Sequence, residues 1–520
     1  MVKDYSRRRL FSLCCGLILA LVLLTKPPSA SAFTSTQATN MWNAYNNAFY
    51  VGNNGAAYYR QDQGGGEDTV DFWQNAERIE MAVDRAQNSG SAGDKAIVTA
   101  LVNGFDSMYG SDWTGDTFND DIMWACLAHL RAYFVTGSTE TGWAGEAANN
   151  YNWVCSGGHS PGRVQPQIDS VYGGGMWWTT DHTSSNASKN ACDNGPAALV
   201  GYYLSVVWPN TGFKGTAQGI YNWEKSTLLA SNGYLYDHIN SSGLSGYDLS
   251  YQAGTFIGAA YLLGDSTTAN FEASYFLYTQ CGSTNADYGI LDNYGTGSSG
   301  NAGFNSIFLR WMAVYMNGAG MQATYLPWLY VNAAAAVTEE NSSDLSWSDW
   351  VAPTPGSGLY SWDCTPAITA LNVVPPNPSS ISSGMHTLTP GNAPGSRLDD
   401  SAGGTTNGNT IQIWTTAGNA NQNWNFTNIG GNTWNIAVSL GPYCLDGAAA
   451  TVGAPTHLWS CVGVADQAWT AQPAAQSGAW NFVSQLSGLC LDVTQAGTGN
   501  GTVVDSYTCN QTEAQAWFVY

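Results

Sequence analysis

The chain has 520 residues, enough for two or three domains, and a formal net charge of −22. Such an acidic surface repels nucleic acid and anionic membranes, which excludes both as ready partners and favours a neutral or cationic one. Only 10% of the residues are charged, whereas glycine, tryptophan and tyrosine are abundant. Aromatic side chains mixed with neutral hydrogen-bonding groups suit a protein that handles sugars.

The first 32 residues have the composition of a secretion signal. Arg7–Arg9 precede an apolar run over Leu13–Leu24, and Ala30–Ala32 offer a small-residue cleavage site before Phe33. The apolar run is too short for a comfortable membrane span, and nothing later in the sequence resembles one. We therefore expect a secreted, extracellular protein with no membrane association once the signal has been removed.

Secretion would expose the remaining cysteines to an oxidising compartment. Cys14 and Cys15 leave with the signal, so an odd number of the eleven cysteines remains and at least one is expected to stay unpaired. Cys126 is the candidate for a buried free thiol. No Cys/His cluster has zinc spacing and no glycine loop has the setting of a phosphate site, so we expect neither a metal nor a cofactor.

From Phe33 to about Val337 the periodicity of apolar residues predicts successive helices separated by Gly- and Asn-rich loops. The predicted helices are Ala38–Tyr50, Asp71–Arg85, Asp94–Met108, Asp121–Thr136, Trp143–Cys155, Ala191–Val207, Gln218–Leu229, Ser250–Leu263, Ala269–Cys281, Asn301–Asn317 and Met321–Val337. So many paired helices in one domain predict an all-α toroid of the α/α type, in which the loops at one end build a cleft.

The fourth predicted helix opens with two adjacent carboxylates, Asp120 and Asp121, and either Asn119 or Asp120 can serve as its N-cap. A carboxylate in the first turn feels the positive end of the helix dipole and stays ionised, while its neighbour is pushed toward holding a proton. One anion beside one acid is what glycoside hydrolysis requires, and adjacent residues can reach the about 5–5.5 Å separation of retaining enzymes. Taken alone, such a pair is more often a doubled helix cap.

Three loops supply further candidates for a sugar-binding cleft. In Gly173–Trp178 the glycines allow close backbone approach, and the faces of Trp177 and Trp178 are suited to stacking on sugar rings. The alternative is that both tryptophans belong to the core. Asp237 follows a turn glycine, although a lone aspartate is usually a cap, and Gln252 lies at the start of another helix.

Seven stretches, in chain order, together resemble glycoside hydrolase family 76, the endo-α-1,6-mannanases and their fungal wall-processing relatives. They are Phe72–Glu77, Asn119–Asp121, Gly173–Trp178, Lys189–Pro196, Tyr236–Asp237, Tyr251–Gly258 and Ile307–Arg310. The sequence departs from the family at Tyr251–Gly254, where Tyr-Asn-Gln-Gly is usual, and at Phe304–Ser306, where Phe-Lys-Gly is usual. These departures affect the fine detail of sugar contacts and leave the carboxylate pair intact.

The resemblance implies an (α/α)6 barrel with a retaining mechanism and no cofactor. Asp120 corresponds to the nucleophile and Asp121 to the general acid/base. The residues that the resemblance places at the substrate are Trp73, Trp177, Trp178, Asn194, Asp237 and Gln252.

After Trp350 the composition changes. Residues 363–385, rich in proline and serine around Val374–Ser380, are predicted to be a linker between a helical domain at 33–362 and a second domain at 386–520, with few contacts crossing between the two. The second domain contains three repeats of about 45 residues. Each repeat ends in Gln-x-Trp, at Gln422–Trp424, Gln467–Trp469 and Gln515–Trp517, and the set resembles a ricin B-type β-trefoil lectin.

The lectin resemblance implies one sugar site in each lobe, with an aspartate, an aromatic platform and a polar pair before the tryptophan. The first lobe keeps the full set: Asp399, Gln412, Trp414, Asn421 and Gln422. The second offers Asp446, Trp459 and Gln467, with Asp466 where asparagine is usual, and the third offers Asp492, Tyr507 and Gln515, with Ala514 there. The resemblance also implies the disulfides Cys444–Cys461 and Cys490–Cys509. A purely structural trefoil is the alternative.

The leading hypothesis is a monomeric, secreted endo-α-1,6-mannanase whose lectin module holds it on α-mannan or a related polysaccharide. Two alternatives remain. In the first, a sugar hydroxyl replaces water in the second step, which would make the protein a transglycosidase. In the second, both domains serve as sugar-recognition surfaces of a non-catalytic carbohydrate-binding protein.

Overall fold

The computed structural model describes residues 33–520 except 66–71, 138–140, 282–288, 377–380, 448, 475 and 477. The expected secretion signal, residues 1–32, lies outside the described residues. Among the helices that the structure does describe, none combines the length and apolar character needed to cross a membrane.

In the described chain, twelve α-helices precede the C-terminal strands. They are α1 Ser35–Phe49, α2 Phe72–Ser89, α3 Ala92–Tyr109, α4 Asn119–Val135, α5 Thr141–Ser156, α6 Ala191–Val207, α7 Phe213–Thr227, α8 Ser250–Leu262, α9 Ser266–Thr279, α10 Phe304–Gly318, α11 Gln322–Thr338 and α12 Ser361–Val373. The first eleven correspond to the predicted helices. Side-chain caps fix several starts, as when Ser91 accepts the N–H of Asp94 and Asp265 accepts that of Thr268.

The even-numbered helices form a closed inner ring, because α2, α4, α6, α8, α10 and α12 each contact the next and α12 returns to α2. The odd-numbered helices pack outside this ring, so the predicted toroid is confirmed. Since the chain alternates between outer and inner helices joined as antiparallel pairs, all six inner helices begin at the same end. That end therefore collects the side chains of six first turns.

A buried network of charges ties three inner helices together below this end. Arg310 on α10 donates to Glu77 (Nη1–Oε2 2.8 Å) and to Asp84 (Nε–Oδ2 2.9 Å) on α2. Arg131 on α4 donates to Glu80 and to Asp84 (Nη2–Oδ1 2.7 Å). Burial raises the pKa of Glu77 to about 7, although Arg310 opposes the shift. Removing one partner of such a network leaves an unpaired buried charge and costs about 3–5 kcal/mol.

Two small sheets accompany the helices. Strands β1 Tyr50–Asn53 and β2 Ala56–Tyr59 form a hairpin between α1 and α2. At the cleft end, β3 Ser188–Asn190, β4 His238–Asn240 and β5 Gly243–Ser245 form an antiparallel sheet with Asn190 opposite His238. This pairing brings the start of α6 next to the loop that carries Asp237.

Helix α12 corrects the predicted domain boundary. Residues 363–373, expected to belong to a linker, are helical and complete the ring by packing against α2 and α10. Cys364 is a buried free thiol inside this helix. The sequence signal failed here because Pro366 lies inside the helix and the surrounding composition already turns toward proline and serine.

The C-terminal domain is all-β. Its strands are β6 Gly384–His386, β7 Leu388–Pro390, β8 Ser396–Asp400, β9 Ile411–Thr415, β10 Trp424–Gly430, β11 Thr433–Val438, β12 Tyr443–Asp446, β13 Ala454–Pro455, β14 His457–Ser460, β15 Ala468–Pro473, β16 Trp480–Ser484, β17 Cys490–Val493, β18 Thr502–Tyr507 and β19 Trp517–Val519. The three Gln-x-Trp tryptophans are fully buried, and each indole N–H donates to a leucine carbonyl of its own lobe: Trp424 to Leu398, Trp469 to Leu445 and Trp517 to Leu491. The repeated tryptophan is therefore the shared core of the trefoil.

The cysteines divide between the two domains. The disulfides Cys444–Cys461 and Cys490–Cys509 are both formed, as the lectin resemblance implies. The free cysteines lie in the helical domain: Cys126, Cys155, Cys192, Cys281 and Cys364. Cys126 is buried, as predicted for a free thiol.

The two domains share an apolar interface, which corrects the expectation that few contacts cross between them. The ring of Tyr330 on α11 stacks on Phe518 of β19 at 5.3 Å, and both side chains are buried. Tyr278 on α9 donates its hydroxyl hydrogen to the carbonyl of Gly395 at 3.1 Å. A side chain at Gly478 would meet the Tyr330 ring at 2.7 Å, so the contact requires glycine there. The lectin domain is thus packed against the outer helices.

Candidate active site

The aspartate pair lies in the first turn of α4, at the cleft end of the inner ring. The predicted N-cap is wrong, because Phe118 occupies that position and makes no side-chain cap. Asn119 is instead fully buried, where its amide donates to the carbonyl of Trp177 (2.6 Å) and accepts from Arg163 Nε (3.0 Å). Asn119 thereby fastens the start of α4 to the loop that carries the tryptophans.

Asp120 is a half-buried carboxyl surrounded by hydrogen-bond donors. Its Oδ1 atom is buried and makes no hydrogen bond. Burial raises the pKa of Asp120 to about 6, and the thiol of Cys192, the indole of Trp178 and the N–H of Asp121 lower it only in part. The helix dipole favours an ionised carboxylate in this turn, but burial has the larger effect on the pKa of Asp120, which still ionises below neutral pH.

Asp237 lies beside this pair, and its carboxyl is held from two sides. Gln252 donates from Nε2 to Asp237 Oδ1 at 2.5 Å, and His238 Nδ1 lies 2.7 Å from Oδ2. The Gln252 carbonyl accepts the N–H of Leu249 at 2.9 Å, which closes the first turn of α8. Gln252 is fully buried and its amide positions Asp237, and its contact with sugar stays a prediction.

The two tryptophans of Gly173–Trp178 have different roles. Trp178 is 36% exposed, packs on Phe118 at 5.2 Å and presents its indole N–H to Asp120. Trp177 is only 3% exposed, donates to Asp169 and stacks on His182 at 4.8 Å. Of the two indoles, Trp178 is therefore the exposed one beside Asp120 and Trp177 the buried one, while their contacts with sugar stay predictions.

Asn194 is also a supporting residue. It is fully buried in α6, donates to the carbonyls of Asn190 (2.7 Å) and Met176 (3.2 Å), and accepts the N–H of Met176 (2.8 Å). Its amide nitrogen and its carbonyl oxygen are thus engaged by the protein itself, and a contact of Asn194 with sugar stays a prediction. Asn194 holds the tryptophan loop against α6.

An aromatic cluster forms another part of the cleft end. Trp73, in the first turn of α2, is half-buried and lies edge-on to Trp362 at 5.2 Å and close to Phe304 at 6.4 Å. The ring of Tyr251 lies 4.4 Å from that of Phe304. Trp362 and Phe304 were not among the sequence candidates. Trp362 was missed because α12 was not predicted, and Phe304 lies in a stretch that departs from the family pattern.

In the first trefoil lobe the predicted sugar-binding set is assembled around one carboxylate. Gln412 donates to Asp399 Oδ1 at 2.9 Å, while Asn421 (2.9 Å) and Gln422 (3.0 Å) donate to Oδ2. Trp414, on the same strand as Gln412, is 43% exposed. A fixed carboxylate beside an open indole face is an arrangement that can bind a sugar ring.

The other two lobes keep the carboxylate and the aromatic platform but change the partners. In the second lobe, Gln467 donates to Asp446 at 3.1 Å, and His457 takes the strand position opposite Asp446. In the third lobe that position is Asp505, which faces Asp492, and burial raises the pKa of Asp492 to about 6. The platforms Trp459 and Tyr507 are 42% and 43% exposed. The platform is thus repeated in all three lobes, whereas its polar neighbours vary.

One side-chain group outside the cleft has the composition of a cation site. Asp106, His129 and Glu146 bring one ligand atom each within 4.8 Å of one another, between α3, α4 and α5. His129 Nδ1 donates to the carbonyl of Ala125 at 2.8 Å, which turns Nε2 toward Asp106 Oδ1 at 2.9 Å. The contacts to Ala125 and Asp106 occupy both ring nitrogens of His129, so we read the group as a hydrogen-bonded triad that joins the three helices.

Comparison with known proteins gives two matches to family models. The model of Glycosyl hydrolase family 76 matches residues 29–379, which include α12. The model of the Ricin-type beta-trefoil lectin domain matches residues 390–518. No curated protein matches.

Several solved structures share the fold of the helical domain. One is an inactive variant of an α-1,6-mannanase from Salegentibacter sp. HEL1_6, in which two consecutive aspartates are replaced by asparagine, in complex with α-1,6-mannotriose. Its sequence is 23% identical, the match covers 65% of this chain and 98% of that one, and the TM-score is 0.56. A protein from Listeria innocua is 19% identical over 65% of this chain and 96% of its own, with a TM-score of 0.55. A family 76 mannosidase from Bacteroides thetaiotaomicron is 16% identical over 66% and 97%, with a TM-score of 0.50.

Proposed function

The chain belongs to glycoside hydrolase family 76, and we propose that it is a secreted, retaining, endo-acting enzyme that cleaves α-1,6-mannosidic bonds in mannan-type polysaccharide. The observation that carries this proposal is the Asp120–Asp121 pair in the first turn of an inner helix. Trp178 and Asp237 lie beside that pair at the end of the toroid where all six inner helices begin.

The substrate is proposed from the relatives that share the fold. In the Salegentibacter α-1,6-mannanase, the variant that lacks two consecutive aspartates is inactive and was solved with α-1,6-mannotriose. This chain carries two consecutive aspartates at the first turn of an inner helix. This similarity favours the α-1,6-mannosidic bond as the bond that this chain cleaves. It also favours a direct role of both carboxyls in the reaction.

In the mechanism we propose, Asp120 attacks the anomeric carbon while Asp121 protonates the departing glycosidic oxygen. Asp121 then takes a proton from water, which displaces Asp120 and releases the product with its original anomeric configuration. The reaction needs no cofactor. The Trp178 indole N–H supports the Asp120 anion from the side, and its exposed ring face is available for stacking on a sugar.

The charge state of Asp120 fits this role. Burial raises the pKa of its carboxyl to about 6, so the anion dominates at neutral pH, yet it is poorly solvated. A poorly solvated carboxylate gains more from forming a bond to an electron-poor carbon than a carboxylate in water does, since less hydration is lost.

The lectin domain is proposed to hold the enzyme on polymer. Its three exposed aromatic platforms, at Trp414, Trp459 and Tyr507, give several weak contacts to one chain of sugars. Several linked weak sites raise the time that the enzyme spends on an insoluble polymer and do little for a short soluble oligosaccharide. The partner is therefore α-mannan or a related polysaccharide.

Incubation of the purified protein with linear α-1,6-mannan and with a branched α-mannan tests this function. We expect new reducing ends, together with manno-oligosaccharides of mixed length from an endo-acting enzyme. The variant Asp120→Asn is the control for trace contaminants. Longer oligosaccharides formed without a rise in reducing ends would instead favour the transglycosidase, and no change in any α-mannan would overturn the proposal.

A further inference from the structure

Directly behind Asp120, the first turn of α6 contributes two side chains that the mechanism above does not use. Cys192 is buried and free, and Asp193 is fully buried. The Asp120 carboxyl, the Cys192 sulfur and the Asp193 carboxyl bring one atom each within 4.8 Å of one another. The two carboxyls come from helices α4 and α6, which are neighbours in the inner ring.

This group of two carboxyls and one thiol must hold one proton in addition to the thiol hydrogen. The Cys192 sulfur lies 3.8 Å from Asp193 Oδ1 and within 4.8 Å of a carboxyl oxygen of Asp120, so both carboxyls are within its reach. A thiol has a single hydrogen, so it can donate to only one of the two carboxyls. The other carboxyl must bring its own proton, because two anions this close together in a buried site repel strongly.

The surroundings decide which carboxyl keeps that proton. Asp120 faces the open cleft and has the donors of Trp178 and Asp121 around it. Asp193 is closed off from solvent and accepts one further hydrogen bond, from the N–H of Asn190 at 3.2 Å. The anion is therefore better supported on Asp120, and the proton belongs on Asp193.

The other groups that face this site reinforce the same distribution. Asp121 follows on α4, Asp237 adds a carboxyl from the loop before β4, and Tyr251 adds a phenol from α8. The nearby basic side chains are engaged elsewhere, since Lys189 Nζ lies 2.7 Å from Asp169 Oδ1 and His238 Nδ1 lies 2.7 Å from Asp237 Oδ2. In the described part of the site, no cation is directed at Asp193.

We propose that the Asp193 carboxyl is protonated in the resting enzyme. Its O–H donates a hydrogen bond to the Cys192 sulfur, and the Cys192 S–H donates a hydrogen bond to the Asp120 carboxylate. Cys192 and Asp193 are then positioning residues that hold Asp120 as the anion of the pair and fix its orientation. This inference rests on the proposed function only in calling Asp120 the nucleophile. The protonation pattern itself does not depend on the substrate.

The test is a carbon NMR titration of the protein labelled with 13C at the aspartate carboxyls, with Asp120→Asn used to assign the Asp120 signal. Cys192→Ala removes a donor from the anion, so the midpoint of the Asp120 titration should rise by about half a pH unit to one unit. Cys192→Ser supplies a stronger donor, so the midpoint should fall by a similar amount. Asp193→Asn stays neutral and should leave the midpoint within about 0.3 unit.

Cys126 offers a matched control, because it is a buried free thiol on α4 whose hydrogen goes to the carbonyl of Ala147 at 3.4 Å. Cys126→Ala and Cys126→Ser should not move the Asp120 midpoint. Equal midpoints for Cys192→Ala and Cys192→Ser would overturn the proposal. So would a fall of a full unit in Asp193→Asn, since that would mean that Asp193 is ionised.

The same variants in kcat/KM against pH should move the acid limb in the same directions as the NMR midpoints. If Asp193→Asn fails to fold, the opposite shifts of the two Cys192 variants still decide the outcome. If the protein leaves mannan intact while the NMR shifts appear as stated, the proposed function fails and the present inference stands.

Discussion

The cleft and the trefoil place their sugar-contacting candidates in opposite ways. In the cleft, each carboxyl is half-buried and has its own set of hydrogen-bond donors from other elements. Trp178 and Cys192 supply the donors for Asp120, and Gln252 supplies the donor for Asp237. In the trefoil an exposed aromatic ring is repeated three times on the same framework. Catalysis needs charges that have been partly removed from water, and such charges require many supporting contacts. Binding needs open faces, which can be repeated at little cost to stability.

The three lobes make the same point within one domain. The tryptophan that donates to a leucine carbonyl is the same in each, at Trp424, Trp469 and Trp517. The residue opposite the lobe's aspartate differs, being glutamine, histidine or aspartate. The framework residues are thus the same in all three lobes, whereas the polar neighbours of the platform vary from one lobe to the next.

The largest expected effect is the loss of turnover in Asp120→Asn, because no nucleophile remains. We expect kcat on mannan to fall at least about 10³-fold, and turnover of an activated mannosyl fluoride to fall with it. Asp181→Asn, at an exposed aspartate of the loop between α5 and α6, is the matched control and should keep the parent rate. A near-parent rate in Asp120→Asn would remove this residue from the mechanism.

Much of this contrast could be predicted from the sequence because it depends on local patterns. The apolar periodicity predicted eleven helices, and the adjacent carboxylates Asp120 and Asp121, together with the family motifs around them, indicated the candidate site. The partners of that pair could not be found in this way. Cys192 and Asp193 meet Asp120 only because α4 and α6 are neighbours in a closed ring, a relation that no local pattern contains.

Family motifs also marked residues without indicating how each one is used. Trp177, Asn194 and Gln252 all belong to such motifs, and in the structure all three are buried and support other residues. A motif marks a residue that the site needs, and the need is often to hold a loop or to orient a carboxyl. The distinction depends on exposure, which the sequence does not report for single side chains.

The next largest effect is expected at the interface between the domains. Tyr330→Ala removes a buried ring that stacks on Phe518, and we expect it to lower the free energy of unfolding by about 3 kcal/mol. Tyr247→Ala, at a largely exposed tyrosine, is the control. Calorimetry should give one cooperative transition for the parent protein. Two separate transitions, neither of which changes its midpoint temperature in Tyr330→Ala, would instead indicate two domains that unfold independently.

A further prediction concerns pH. The active form requires ionised Asp120, whose pKa burial raises to about 6, so kcat/KM should fall about tenfold for each pH unit below that value. Trp178→Phe removes a donor from the carboxylate and should raise the pKa of Asp120, which moves this limb to higher pH. Activity that stays constant from pH 7 down to pH 4 would contradict the burial of the nucleophile.

The smallest expected effect is in the trefoil. Trp414→Ala should weaken retention on insoluble mannan several-fold and leave hydrolysis of soluble oligosaccharides unchanged, because the indole is exposed and the domain core is built on other tryptophans. Tyr507→Ala, in the lobe that lacks the polar pair, should weaken retention less. A pull-down on insoluble polymer measures both. Equal losses in the two variants would mean that the platform alone, without its polar partners, determines binding.

The central claim is that Asp120 forms a covalent bond to the sugar and that Asp121 serves as acid and then as base. Its most direct test is to incubate Asp121→Asn with an α-1,6-mannobiosyl fluoride and to map the adduct by mass spectrometry. Fluoride leaves without a proton, so the first step proceeds, while the second step lacks its base and the intermediate accumulates. We predict a mannobiosyl group on Asp120. A rapid turnover that releases the inverted anomer, or an adduct on any other residue, would contradict the account.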